Sequence, residues 1–276
     1  MARSGILLSS FSALVRLLTF TLVASSILFC QQPPSDPQAV TYAAQSIAAL
    51  TGNLSINDVT LTGNAVWSGS PNATGATAMF RALGANESRI DLTLSAGIHT
   101  EIRDAQTGIP LGKWINPDGK SGPFSPLNCW TDAAWFFPAL GSLASGTNIV
   151  LSYVGQETRN GEAVQHIQAY RFDSLPFAPR SAQEPSKMDF YLDANTFLPV
   201  AETFNVHPDN NNAMANLVTE VDFSNYQNFG SVLVPTRIQR YQQGNLMLDV
   251  TVTGASFNTG LSISIFAINS ASGAKQ

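Results

Sequence analysis

The sequence predicts a mainly β protein of the α+β class, built from one curved antiparallel sheet whose concave face is covered by an N-terminal helix and a short aromatic helix. Three observations indicate this fold. Apolar and polar residues alternate with a period of two along many short segments, which is typical of strands with one buried face. Glycine and asparagine turns separate these segments. No strand–helix–strand spacing appears, so the sheet is expected to be antiparallel and to need helices against its apolar face.

The N-terminus has the features of an export signal. Arg3 and Arg16 precede a charge-free apolar run over 17–29, which is short for a membrane span. Cys30 follows directly. Residues 1–30 are therefore predicted to be a signal peptide cleaved near Ser26 or a lipoprotein signal with Cys30 as the lipidated residue; an uncleaved anchor is a third alternative. The proline-rich stretch 31–37 is predicted to be a flexible tether, 38–268 a single domain and 269–276 a disordered tail.

An amphipathic helix is predicted from Asp36 to Leu50. Ser35 or Asp36 can cap it, Pro37 suits its first turn, and Gly52 follows its end. An isolated helix of this length is marginal in water, so we expect its apolar stripe to dock against the rest of the domain.

A run of strands follows the helix, as the alternation and the turns indicate. Nine are predicted over 58–67, 75–83, 90–94, 98–104, 112–115, 148–157, 163–172, 188–192 and 199–206, and the turn at 117–119 suggests a hairpin after 112–115. The block from Leu217 to Phe266 is predicted to contain three or four more, because its apolar residues alternate between turns at 228–231 and 243–245.

The stretch from Cys129 to Leu140, here called the aromatic segment, lacks a period of two. Thr131 or Asp132 is predicted to cap a short helix that Pro138 kinks or ends. Trp130, Trp135, Phe136 and Phe137 present too much aromatic surface to remain in water. The segment is therefore predicted to be a core plug or a lid over a hydrophobic cavity. Cys129 itself is predicted to be a buried apolar residue, since no histidine lies nearby to activate it.

Composition and motifs exclude several functions. The net charge of −5 argues against nucleic acid as a partner, which would require a basic surface. His99, His166 and His207 are far apart in the chain, so no metal site is predicted from them, and His207 is expected to be solvated in a polar loop. No G-x-S-x-G elbow and no phosphate-binding glycine loop appears. We therefore predict no cofactor, no metal and no catalytic residue.

Three short patterns resemble a known superfamily. They are a turn and strand over 192–200, a strand over 221–226 that continues through Gly230 to the strand 232–238, and a terminal strand ending near Asn258. Together with the helix and the run of strands, they resemble the lipoprotein-carrier superfamily of LolA, LolB, the LppX-type lipoproteins and the sensor domain of RseB. The whole chain is also similar to secreted proteins of acidobacterial type. The resemblance covers roughly residues 38–266. It implies a half-barrel that binds acyl chains or another hydrophobic group on its concave face, and it implies no catalytic residues.

The alternation assigns a set of apolar residues to that concave face. The predicted lining is Trp67, Ile90, Leu92, Leu94, Met188, Phe190, Val221, Phe223, Val234, Leu248 and Val250, with Trp130, Trp135 and Phe136 as plug or lid. A register error of one residue would turn any strand's set outward.

The predicted function is an exported protein of the bacterial periplasm or outer membrane that binds a lipid or another hydrophobic small molecule. We expect a monomer that is tethered to the membrane if Cys30 is lipidated, or that meets an envelope protein partner. The alternatives are an RseB-like sensor or protein-interaction module, a secreted hydrolase with an unrecognised active site, and a structural envelope protein with a dry core. A tight cluster of carboxylates with perturbed pKa in a cleft would favour the hydrolase.

Overall fold

A computed structural model describes residues 32–68, 74–144, 146, 148–172, 183–208 and 216–268. The predicted export signal with Cys30 and the predicted tail from 269 lie outside the described residues. Within the described part of the chain, no helix is both long and apolar enough to cross a membrane.

The predicted N-terminal helix is present as α1, Pro37–Thr51. Asp36 caps it, because its Oδ1 accepts hydrogen bonds from the backbone N–H groups of Gln38 at 2.7 Å and Ala39 at 3.3 Å. Gly52 ends it in the left-handed conformation at φ 57°. The helix buries Ala39, Ala43 and Leu50 and contacts β7, β8 and β12 of the sheet, whose bounds follow.

The sheet has thirteen strands in the described residues, all paired antiparallel. The N-terminal strands are β1 Asp58–Trp67, β2 Thr74–Leu83, β3 Glu87–Leu94, β4 Gly97–Asp104, β5 Leu111–Ile115 and β6 Ser121–Pro123. The C-terminal strands are β7 Ile149–Arg159, β8 Glu162–Arg171, β9 Met188–Asp193, β10 Pro199–Val206, β11 Leu217–Phe229, β12 Val232–Gln242 and β13 Asn245–Phe257. The strands β5 and β6 pair around the turn at 117–119, which confirms the hairpin suggested there by the sequence.

The strand order shows how the sheet is assembled. It runs β6-β5-β4-β3-β2-β1-β13-β12-β11-β10-β9-β8-β7, so two meanders meet at the β1–β13 ladder and the sheet does not close. An Arg240 guanidinium on β12 reaches the Glu101 carboxylate on β4 at 3.4 Å. These strands are five steps apart, which is about 24 Å in a flat sheet. The contact is beyond the reach of two side chains on a flat sheet, so the sheet is strongly curved, as predicted.

The aromatic segment lies in the connection between the two edge strands, β6 and β7, and covers the concave face. Its core is a series of turns, flanked by short 3-10 helices at Pro126–Cys129, Pro138–Leu140 and Ser142–Ala144 rather than one capped α-helix. The side chain of Asp132 does not cap a helix: it accepts hydrogen bonds from the backbone N–H of Ser142 at 2.6 Å and from its hydroxyl at 2.7 Å. Phe136 and Phe137 are fully buried, which confirms that the segment covers the core.

The block 217–266 differs from the prediction at its end. It contains three strands, and Ile263–Phe266 forms a 3-10 helix instead of a fourth. This helix packs on β3 and β4, where Phe266 is fully buried. The outer side of these two strands is therefore also partly buried, because the aromatic ring of Phe266 packs against it.

Candidate functional site

A cavity of about 170 Å³ lies between the concave face of the sheet and the aromatic segment. Its apolar wall is formed by Trp67 at the end of β1, Ile90 on β3, Trp135 of the aromatic segment and Phe204 on β10. Towards the surface the cavity is lined by partly exposed residues, Val206, Gln242 and Met247. The mouth thus lies where β10 and β12 end and β13 begins.

Beside this apolar wall the lining is polar, because β4 turns its polar side inward. Leu92 on β3 pairs with His99, Ile90 with Glu101 and Ser88 with Arg103. Residues directly opposite in an antiparallel pair share one face of the sheet. The three polar side chains of β4 therefore share the concave face with Ile90 and Leu92, while Ile102 points to the side that the C-terminal 3-10 helix covers.

His99 and Glu101 are fixed by their neighbours. The imidazole of His99 stacks on Trp67 with ring centroids 4.4 Å apart, and its Nδ1 lies 3.0 Å from Asn116 Oδ1. Its Nε2 lies 3.4 Å from Glu101 Oε1. Burial by itself raises the pKa of Glu101, but Arg240 and the contact with His99 outweigh it and hold that pKa below its ordinary range. Glu101 is therefore an anion at neutral pH.

Arg240 connects the polar wall to the aromatic segment. Its guanidinium donates to Glu101 and lies 5.0 Å from the centre of the Trp135 ring, within the range of a cation–π contact. Trp135 also meets Phe80 and Phe136 edge-to-face, which fixes its plane. Trp135 is thus packed from behind by Phe80 and Phe136.

The structure separates the predicted lining residues into three groups. Trp67, Ile90 and Trp135 line the cavity. A larger group is buried in the common core but does not line it: Leu92, Leu94, Phe136, Met188, Phe190, Val221, Phe223, Val234, Leu248 and Val250. Trp130 is half-buried and lies outside both sets. The contact of these residues with a ligand stays a prediction.

The other histidines lie elsewhere. His166 is on the outer side of the sheet between two carboxylates, with Nδ1 2.5 Å from Glu157 Oε1 and Nε2 2.8 Å from Asp189 Oδ1. His207 was predicted to be solvated but is buried, because Asn128 holds the backbone of His207 through two hydrogen bonds. Burial lowers the pKa of the His207 imidazole. In the described ranges, no group of three or more His, Cys, Asp or Glu side chains is arranged to hold a metal ion.

Comparison with solved structures identifies the fold. The chain resembles a domain from Vibrio parahaemolyticus described as an outer membrane lipoprotein-sorting protein, with a TM-score of 0.51 and 13% identity over 83% of this chain and 96% of that one. A LolA superfamily protein from Nitrosomonas europaea matches with a TM-score of 0.51 and 12% identity over 83% and 97%. A DUF1329 family protein from Desulfovibrio piger matches with a TM-score of 0.53 and 8% identity over 85% and 98%.

These likenesses span nearly the whole of each solved chain. The protein therefore has the LolA-like half-barrel fold, and the resemblance predicted from the sequence is confirmed at the level of the fold. No protein-family model and no curated protein matches the chain.

Proposed function

We propose that the protein is exported to the bacterial envelope and binds a hydrophobic ligand, a lipid or acyl chain, in the cavity between the sheet and the aromatic segment. The observation that carries the proposal is the cavity itself, whose apolar lining inside the half-barrel includes two tryptophans, two phenylalanines and an isoleucine. A few convergent polar groups beside an apolar wall are typical of small-molecule sites. The fold supports the proposal, since one similar structure is described as a lipoprotein-sorting domain.

The size of the cavity sets how a long ligand is accommodated. A volume of about 170 Å³ is smaller than the roughly 300 to 1,000 Å³ of typical ligand pockets. We expect the cavity as it stands to admit a head group and the first carbons of a chain, and a longer chain to displace part of the aromatic segment. Each methylene that leaves water contributes about 0.8 kcal/mol, so a long chain can offset the cost of that displacement.

The hydrolase alternative calls for a cluster of carboxylates with perturbed pKa, but among the described lining residues Glu101 is the single carboxylate. Asp222, whose pKa is raised to about 6 by burial and by Glu220, does not line the cavity. The sensor alternative and any envelope protein partner stay predictions.

Native mass spectrometry of the protein purified from its host, followed by organic extraction, tests the proposal. We expect a stoichiometric lipid on the wild-type chain. Val206→Trp fills the mouth of the cavity without adding a charge, so we expect it to lose this lipid while its circular dichroism spectrum is unchanged. Val218→Trp is the matched control, because Val218 lies on β11, is 48% exposed and does not line the cavity.

A clean apo mass, with no uptake of a fluorescent fatty acid, would contradict the proposal. Equal lipid retention by both variants would place the ligand outside this cavity. The intact mass of the same sample also shows whether the mature chain begins with an acylated Cys30 or was cleaved near Ser26.

A further inference from the structure

The charges in the cavity do not balance. Three charged side chains line it: Glu101, Arg103 and Arg240. The Glu101 carboxylate is already engaged by Arg240 at 3.4 Å and by the imidazole of His99 at 3.4 Å. The cavity wall therefore has one guanidinium more than it has carboxylates.

Arg103 is the guanidinium left over. Among the described residues it has no carboxylate within 4.0 Å, and its buried Nη1 has no hydrogen-bond partner. Its closest aromatic contact is Phe124, whose ring centre lies 5.6 Å from the guanidinium carbon. The nearby Cys129 supplies no negative charge, because burial raises the pKa of its thiol and keeps it neutral. Glu101 favours the charge of Arg103 without being in contact with it, whereas Arg171 and Arg240 oppose that charge.

Such an arrangement is costly without a counterion. A guanidinium stays charged in proteins and offers five N–H donors, and a buried donor without an acceptor destabilises the fold. The planar guanidinium matches the two oxygens of a carboxylate or phosphate, which it binds through paired hydrogen bonds. Arg103 lines the same cavity as Trp135 and Phe204, so an anionic oxygen beside Arg103 would be continuous with an apolar chain against those rings.

We propose that the ligand is an amphiphile with a single anionic head group, a carboxylate or a phosphate monoester, which pairs with Arg103 while its apolar chain lies against Trp135 and Phe204. This inference rests on the proposed function and adds the chemistry of the head group. Arg240, engaged with Glu101 and Trp135, holds the wall in place and is not needed as a second anion ligand.

A ten-carbon series measured by tryptophan fluorescence tests the head group. Decanoate and decyl phosphate are expected to bind the wild-type chain at least about tenfold more tightly than decanol, which has the same chain without a charge. Arg103→Met keeps an apolar side chain of similar length, and we expect it to abolish this preference while the decanol Kd is unchanged. Arg237→Met is the control, since Arg237 is 47% exposed and paired with Asp249 outside the cavity.

Acetate and inorganic phosphate distinguish a lipid head group from a free anion. We expect neither to displace decanoate at equal concentration, because neither has a chain to bury. Displacement by inorganic phosphate at the concentration at which decyl phosphate acts would overturn the assignment to an amphiphile.

Equal Kd values for decanoate and decanol on the wild-type chain would overturn the head-group proposal and leave the proposed function intact. If none of the three ten-carbon compounds binds, the proposed function fails as well. Should Arg103→Met not fold, Arg103→Lys replaces it: lysine keeps the charge but not the paired donors, so decanoate is expected to weaken by a smaller factor. The wild-type comparison decides whether the head group is anionic, and a preference retained in full by the Arg103 variant would overturn the assignment to Arg103.

Discussion

Glu202 is the residue whose surroundings fit its charge least. It lies on β10, is 1% exposed, and its Oε1 has no hydrogen-bond partner among the described residues. Burial raises the pKa of this carboxyl well above its ordinary value of 4.5, and the nearby Asp132 raises it further. The folded protein therefore favours the neutral carboxyl. This preference stabilises the fold fully below pH 4.5, and the stabilisation is lost as the pH rises through the pKa that Glu202 has in the folded protein.

We expect Glu202→Gln to raise the free energy of unfolding at pH 8 by about 1 to 3 kcal/mol, because an amide of the same shape does not ionise. The gain should shrink as the pH falls towards 4.5, where the wild-type carboxyl is also neutral. Urea unfolding followed by circular dichroism at pH 5 and pH 8 measures both values. Glu162→Gln, at an exposed position on β8, should change neither. A Glu202→Gln gain that is equal at both pH values would contradict this account.

At the residue scale, the sequence indicated the apolar side of the cavity better than its polar side. Trp67, Ile90 and Trp135 were predicted because alternation and aromatic clustering mark residues that avoid water. Glu101 and Arg103 were missed, because on β4 they alternate with Ile98 and Ile102, and an alternating pattern alone favours turning the isoleucines inward. The pairing of Ile90 with Glu101 instead turns Glu101 and Arg103 inward and the isoleucines outward. This orientation depends on Phe266, which lies about 165 residues further along the chain and covers the outer side of the strands.

At the scale of elements, the aromatic segment is the least regular part of the core. Its described backbone hydrogen bonds are local, such as Phe137 N–H to Ala134 C=O at 2.8 Å, apart from Ala133 N–H to Ala85 C=O at 3.0 Å. It has no ladder to the strands it covers. The aromatic content of the segment predicted its position over the core, but not its turns and 3-10 helices, because its course from one sheet edge to the other is a constraint of the whole fold.

We expect this segment to open at lower free energy than the sheet unfolds. Cys129, which is 4% exposed, lies at its start. In the Cys30→Ser chain, labelling of Cys129 by a thiol reagent should report an opening free energy about 2 kcal/mol below that of global unfolding. As the control, an Ala169→Cys variant that also carries Cys129→Ser places the thiol at a fully buried position on β8, where labelling should need global unfolding. Equal protection at both positions would show that the segment is a fixed part of the core, which would restrict ligands to those that fit the cavity unaided.

At the scale of the whole molecule, one ladder joins the two meanders. All the other ladders of the described sheet join strands that follow one another in the chain. The ladder of β1 with β13 joins the two ends of the described sheet's sequence, in a register that sets Val59 opposite Phe257. Alternation predicted the antiparallel strands and the curved sheet, because both follow from local pattern. It could not predict this pairing, since nothing in either strand's own sequence specifies a partner nearly 200 residues away.

Gly63 makes that ladder sensitive to a single methyl group. The register of β1 against β13 shifts between Thr62 and Gly63, and a Cβ on Gly63 would lie 2.1 Å from the backbone oxygen of Thr251. Because backbone cannot move aside as a side-chain tip does, Gly63→Ala must displace the strands, and we expect it to lower the free energy of unfolding by about 1 to 3 kcal/mol.

Gly75→Ala on the adjacent strand β2 is the matched control, since its Cβ would meet nothing within 4 Å. That variant should be neutral or more stable by up to about 1 kcal/mol, because alanine reduces the freedom of the unfolded chain. Chemical denaturation of both variants measures the difference. Equal midpoints would mean that the β1–β13 ladder accommodates the extra methyl group and does not fix the relation of the two meanders. A loss of stability confined to Gly63→Ala would show that the shape of the half-barrel, and therefore of its cavity, depends on this ladder.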